Sequence, residues 1–166
     1  MYNQYIKPVF REIMGSDFAY DNADDVSVMH SITFLCQING APIGHYVFRQ
    51  TECGPKSSDL ADDLAYMCDK DKAGYQVYSF EFSKQTKAVI QSIKSIVAAY
   101  NDFGLNCSKT TWIACAATLV YWKEFVYPRD ERQVLLQTMR RAGMYVEIIR
   151  NQKAYVVLDR LLSETV

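Results

Sequence analysis

Two histidines (His30, His45) and five cysteines (Cys36, Cys53, Cys68, Cys107, Cys115) are the side chains in this sequence best suited to nucleophilic or metal chemistry. A Cys–His couple needs the imidazole within hydrogen-bond reach of the thiol, and a zinc site needs closely spaced ligands. Neither histidine has a carboxylate or cysteine at a motif spacing, and no C-x-x-C pair occurs, so the rings read as core or surface residues. Cys53 stands beside a turn and close to a helix start, a setting that lowers a thiol pKa, but it lacks the base that nucleophilic chemistry needs. Cys36 and Cys115 fall within helical apolar patterns and read as small core residues. Asp62 and Asp63 are neighbours whose side chains point about 100° apart around a helix, so they do not share a proton. Walker loop, dinucleotide glycine fingerprint and G-x-S-x-G elbow are all missing. The expectation is no catalytic residue, no cofactor and no metal.

The elements around these residues say more. From Phe48 to Met67 the chain reads FRQTECGPKSSDLADDLAYM. Tyr46, Val47 and Phe48 favour an extended segment, and Gly54 with Pro55 supplies a free φ followed by a fixed one, which predicts a turn there. Ser57 or Ser58 then caps a helix. Asp59, Asp62 and Asp63 fall in its first turns, where the positive end of the helix dipole favours carboxylates, and Leu60, Leu64 and Met67 follow helical spacing. Lys56 and Asp59 have little reason to be buried. The surface formed by Cys53, Gly54, Pro55, Lys56, Ser57, Asp59 and Asp63 is therefore the candidate for contact with a partner.

An apolar helix, a Gly-containing loop, a strand, Gly-Pro-x-Ser and a Leu-x-x-Asp-Leu helix resemble the Panacea (SocA-like) antitoxin domain, and more closely the YwgA-like group of small bacterial proteins. Ile32, Phe34, Leu35, Ile43, Gly44, Phe48, Gly54, Pro55, Ser57, Leu60, Asp63 and Leu64 carry the pattern. Cys53 and Lys56 stand where that family usually has aromatic residues around the Gly-Pro. The resemblance covers roughly residues 28–67. It implies a protein-binding role: an antitoxin or adaptor that neutralises or delivers a partner, toxin-like or part of a protease system, in a bacterial or phage setting.

Composition fits one domain over residues 1–166. A chain of this length buries about 70% of its unfolded surface, and a 49% hydrophobic, 22% charged composition is ordinary for a globular protein. A formal net charge of −1 gives no general attraction to nucleic acid or anionic lipid. The odd, unpaired cysteines suggest a reducing, cytoplasmic setting, and the apolar run from Trp112 to Trp122 is too short to cross a bilayer, so no membrane association is expected. The opening MYNQYIKPVF lacks the features of a signal peptide. The 12 tyrosines suit protein contact wherever they lie outside the core.

Periodicity predicts a mostly helical α+β fold. A first helix is expected over Asn3 to Met14. A second is capped by Asp24 or Asp25, carries Val28, Ile32, Phe34 and Leu35, and stops at Gly40. A small sheet pairs Tyr46–Thr51 with Tyr75–Phe82. Ser83 caps an amphipathic helix with Val89, Ile90, Ile93, Ile96, Val97 and Tyr100 on one side and Lys87, Gln91, Lys94 and Ser95 on the other. Thr111 to Phe125 is apolar nearly all round, which predicts a central buried helix. Pro128 is expected to start a helix of about 13 residues, placed by the rule for proline at a helix start, that ends at Gly143; a last helix covers much of Val146 to Leu162. Arg129, Arg132, Arg140 and Arg141 load the helix after Pro128, so the alternative function is a nucleic-acid-binding regulator of helix-turn-helix type.

Overall fold

The structure, a computed structural model, describes residues 3–74 and 81–161. Among these residues the chain forms eight α-helices and one two-stranded antiparallel sheet, a mostly helical α+β domain.

Helix α1 spans Ile6–Met14 and turns Ile6, Val9, Phe10 and Ile13 inward. It starts after the expected Asn3 because that side chain is committed to a loop: its amide donates to the Ile43 carbonyl and the Tyr46 hydroxyl, and its oxygen accepts from the Tyr5 N–H. Pro8 lies in the first turn, where it removes no hydrogen bond. Helix α2 spans Ala23–Ile38. Its cap is Asn22, which accepts from the Asp25 N–H, and not Asp24 or Asp25; Asp25 instead accepts from the Ala19 N–H and fastens the approach to the helix. The helix stops as expected at Gly40, with the Ala41 N–H closing onto the Cys36 carbonyl.

The sheet is a tight hairpin of β1, Arg49–Thr51, and β2, Gly54–Lys56, with Thr51 opposite Gly54 and Arg49 opposite Lys56. The turn therefore falls at Glu52-Cys53, one step before the predicted Gly-Pro corner, and Gly54 and Pro55 belong to the return strand. Thr51 organises it: its hydroxyl donates to the Gly54 carbonyl and accepts from the Cys53 N–H. Neither turn residue takes positive φ, so that conformation falls to Gly54, at φ 99. The expected partner strand at Tyr75–Phe82 lies mostly outside the described residues. Among the described residues β1 pairs with β2, its nearest neighbour in sequence.

Ser57 caps α3, Ser58–Lys72, and Ser83 caps α4, Lys84–Ala99, each by accepting from a backbone N–H three residues on. The dry face of α4 carries Val89, Ile90, Ile93 and Val97, while Lys87, Gln91, Lys94 and Ser95 are exposed. Helix α5, Lys109–Tyr121, is the centre: every residue from Trp112 to Val120 is buried. It packs along α2, and β2 wedges between the two. At Gly54 the fit is close. A Cβ there would meet the Ala114 Cβ at 3.3 Å and its Cα at 3.4 Å.

The C-terminal part departs from expectation. Helix α5 continues into a π-helical turn, Trp122–Val126, closed by the Tyr127 N–H on the Trp122 carbonyl at 2.7 Å. Pro128 does not start a helix. It sits in the turn after this segment, where the Lys123 ammonium gathers the Pro128 and Asp130 carbonyls at 3.0 and 2.7 Å and delays the next helix, α6, to Arg132–Arg141. Gly143, at φ 76, ends α6 as predicted. The expected last helix is two: α7, Val146–Arg150, and α8, Gln152–Asp159. Asn151 divides them with extended backbone, capping α8 through the Ala154 N–H and donating to the Phe103 carbonyl.

Candidate functional site

The residues predicted to meet a partner have different fates. Gly54, Pro55 and Ser57 are buried, and their work is architectural: Gly54 admits the close approach to α5, and Ser57 caps α3. Cys53 is exposed at the hairpin tip and Lys56 is half-buried; both line a recess of about 370 Å³ closed by Asp24, Ser27, Thr111 and Tyr145. Asp59 and Asp63 face elsewhere, into a pocket of about 510 Å³ with Tyr5, Ile43 and Tyr46. Asp63 accepts from the Tyr46 hydroxyl at 2.6 Å, and burial together with this carboxylate holds the Tyr46 phenol well above its usual pKa. Asp62 is exposed, whereas Asp63 is half-buried and engaged by the Tyr46 hydroxyl.

The candidate nucleophiles and bases do not converge. His30 is buried in α2, where Nδ1 accepts from the Ser57 N–H at 3.1 Å. Burial, aided by the Lys56 charge, lowers its pKa to about 4, so the ring is a neutral acceptor that ties the start of α3 to α2. His45 is exposed beside Asp59 and Asp63. Cys36 and Cys115 are buried core residues, and burial pushes the Cys36 thiol up to about 12. Among the described residues no group of three or more His, Cys, Asp or Glu side chains is placed to hold a metal ion. No helix among them is long and apolar enough to cross a membrane. Arg132, Arg140 and Arg141 lie on α6, whereas Arg129 sits in the turn before it; residues 132 and 141 fall on opposite sides of the helix, so the four make no single stripe.

A cleft of about 560 Å³ beside the hairpin gathers features absent from the sequence reading. One wall is Gln50 and Glu52 of the hairpin; the other is Trp122, Met144 and Tyr145. Gln50 Nε2 donates to the Thr51 carbonyl at 2.9 Å and to Thr118 Oγ1 at 3.0 Å, and Thr118 in turn bonds the Tyr145 hydroxyl at 3.3 Å. The amide orientation follows from the Thr51 carbonyl, which only the nitrogen can face. Gln50 Oε1 is left as the single buried side-chain polar atom without a hydrogen-bond partner among the described residues. Tyr145 is the one non-glycine residue among them with positive φ, at 51, a conformation that costs about 1 kcal/mol or more. Trp122 opens the π-helical turn and is held edge-to-face by Tyr127 at 5.5 Å.

A little further along the chain from Trp122 comes an exposed apolar run. Phe125, Val126 and Tyr127 are consecutive and 58, 44 and 41% exposed. They are not on a loose loop, since the Lys123 bonds fix the backbone that follows, and Phe125 rests on Tyr121 at 5.1 Å and on Phe34 at 6.4 Å.

No family model, curated protein or solved structure matches this chain.

Proposed function

We propose that this chain is a protein-binding module of antitoxin or adaptor type, which masks or delivers a partner by closing an apolar face over it. The observation that carries this reading is the exposed run Phe125-Val126-Tyr127, presented on a fixed π-helical turn beside a cleft. Exposed aromatic side chains that are already ordered bind with little further loss of entropy, and such residues dominate the energy of protein interfaces. π-Helical turns also occur frequently at functional sites. The resemblance of the hairpin and α3 to the Panacea and YwgA-like pattern supports the antitoxin version of the reading, and the same hairpin borders the cleft. A nucleic-acid regulator is the weaker reading because its arginines are dispersed.

The test is capture of partners from the native host, identified by mass spectrometry, with wild type and with the double variant Phe125→Ser/Tyr127→Ser. Both side chains are exposed but each also packs on a neighbouring ring, Phe125 on Tyr121 and Tyr127 on Trp122, so the variant is expected to keep its circular dichroism, to melt at a somewhat lower temperature as a single transition, and to lose the captured protein. Retention of the same partner by the variant would remove this face from the interface. Salt-sensitive binding to DNA fragments, with no protein captured by wild type, would instead favour the regulator.

A further inference from the structure

Helix α3 is held differently from the others: among the eight helices of the described residues, it alone lies closely along no other helix or strand. Its buried face is a narrow stripe of Leu60, Leu64 and Met67, while Asp59, Asp62, Tyr66 and Asp69 are exposed. Side-chain bonds fasten it along its length, each to a different part of the fold. At its start the Ser57 N–H donates to His30 Nδ1 on α2 at 3.1 Å. In its first half Asp63 accepts from the Tyr46 hydroxyl at 2.6 Å. At its end Asp71 Oδ2 accepts from the Lys7 ammonium of α1 at 2.6 Å and from the Tyr20 hydroxyl at 2.7 Å. We propose that α3 is an acid-released strap, which protonation of His30 and Asp71 at its two ends lifts as a unit while α2 and α5 stay packed.

The two end bonds fail in the same direction. A proton on His30 Nδ1 sets one donor against another at the Ser57 N–H. Burial, and then the Lys56 charge on β2, disfavour that proton and lower the ring's pKa to about 4, so this bond is complete above pH 6.5 and weakens as pH falls toward 4. A proton on Asp71 removes the charge that faces Lys7. Burial opposes that charge, but the hydrogen bonds from Lys7 and Tyr20 outweigh it and hold the carboxyl below its ordinary value of 3.8; this bond is complete above that value and is lost below it. Asp59 and His45 line the same pocket as the middle bond, where burial, the Asp63 carboxylate and the Asp59 charge all keep the Tyr46 phenol protonated as its donor. Because α3 gives only three side chains to the core, whereas α2 and α5 are buried over runs of nine residues, α3 can open locally before the domain unfolds. Its release uncovers Leu60, Leu64 and Met67, an apolar helix face that neutral pH keeps covered.

The experiment is amide hydrogen exchange of the full chain at pH 6.5 and pH 4, with each rate corrected for the intrinsic exchange at that pH. Between the two, the α3 amides are expected to lose about 100-fold more protection than the α5 amides, the scale set by a histidine shift of this size. His30→Gln keeps a neutral acceptor for the Ser57 N–H and is expected to abolish most of that extra loss. Asp71→Asn tests the other end without touching the core, since the Lys7 and Asp71 side chains are both part-exposed. It is expected to speed α3 exchange roughly tenfold at pH 6.5 with α5 unchanged, the scale of a hydrogen bond to a charged group. Equal loss of protection in α3 and α5, full protection of α3 at pH 4, or an undiminished acid response in His30→Gln would overturn the proposal. So would an Asp71→Asn chain whose α3 exchanges as in wild type.

Discussion

At the scale of single residues, the clearest physical consequence belongs to His30. It is 4% exposed, and its Nδ1 must stay unprotonated to accept from the Ser57 N–H. Its pKa falls from 6.5 in the unfolded chain to about 4 in the fold. Between those values the unfolded chain takes up a proton that the native ring refuses, so stability contributed by the neutral ring is complete above pH 6.5 and declines as pH falls toward 4. At roughly 1.4 kcal/mol per pKa unit, the decline amounts to about 3 kcal/mol. Urea unfolding of wild type and His30→Gln between pH 7 and pH 4 reads it directly, since glutamine can accept the same N–H without titrating. Wild type is expected to lose about 3 kcal/mol more than the variant over this range. Parallel stability curves would assign the acid sensitivity to other groups.

At the scale of elements, the hairpin shows how much of this molecule is legible in its sequence. Gly54, Pro55 and Ser57 marked the right place, and Ser57 caps α3 as its type and position require. The turn itself falls at Glu52-Cys53, just ahead of the Gly54-Pro55 corner that residue type predicts, because Gly54 supplies its left-handed geometry from the return strand rather than from the corner. The periodic helices α4 and α5 were readable because burial alone dictates their patterns. The division at Asn151 and the late start of α6 were not: the first depends on the long-range Asn151–Phe103 bond, and the second on a local turn in which the Lys123 side chain binds the Pro128 and Asp130 carbonyls, a contact that residue type does not announce. The cleft was invisible for the same reason. Gln50, Trp122 and Tyr145 are far apart in sequence, and neither a π-helical turn nor a left-handed tyrosine announces itself in residue type. Gly54→Val tests the wedge of β2 between α2 and α5, since a β-branched side chain there meets both a strained φ and the Ala114 backbone. A loss of at least about 2 kcal/mol is expected, as for other changes that combine backbone strain with overpacking. An unchanged melting temperature would mean that the hairpin can lift from α5 at little cost.

At the scale of the whole molecule, α5 is the element that makes the parts one cooperative unit. It touches α2, α4, α6 and β2, and its buried run from Trp112 to Val120 leaves it no wet face of its own. Its partner α2 is likewise buried from Val28 to Cys36; the remaining helices have an exposed side and could fray without taking the rest along, whereas α5 cannot loosen without opening the core. Leu119 is fully buried near the C-terminal end of this run. Leu119→Ala removes apolar contact and leaves a cavity, with an expected cost of roughly 2–5 kcal/mol. For a chain of this length each kcal/mol lowers the melting temperature by about 2–4 °C, so the shift should be plain in a thermal scan. Its form is as informative as its size. If α5 couples the whole domain, far-ultraviolet circular dichroism and the fluorescence of Trp112, on the same helix, should fall together in one transition in both wild type and variant. A variant that melts at the wild-type temperature would remove α5 from the core. Two separated transitions would mean instead that the helices before and after it unfold as independent units, and a partner held at the cleft would then be gripped by only one of them.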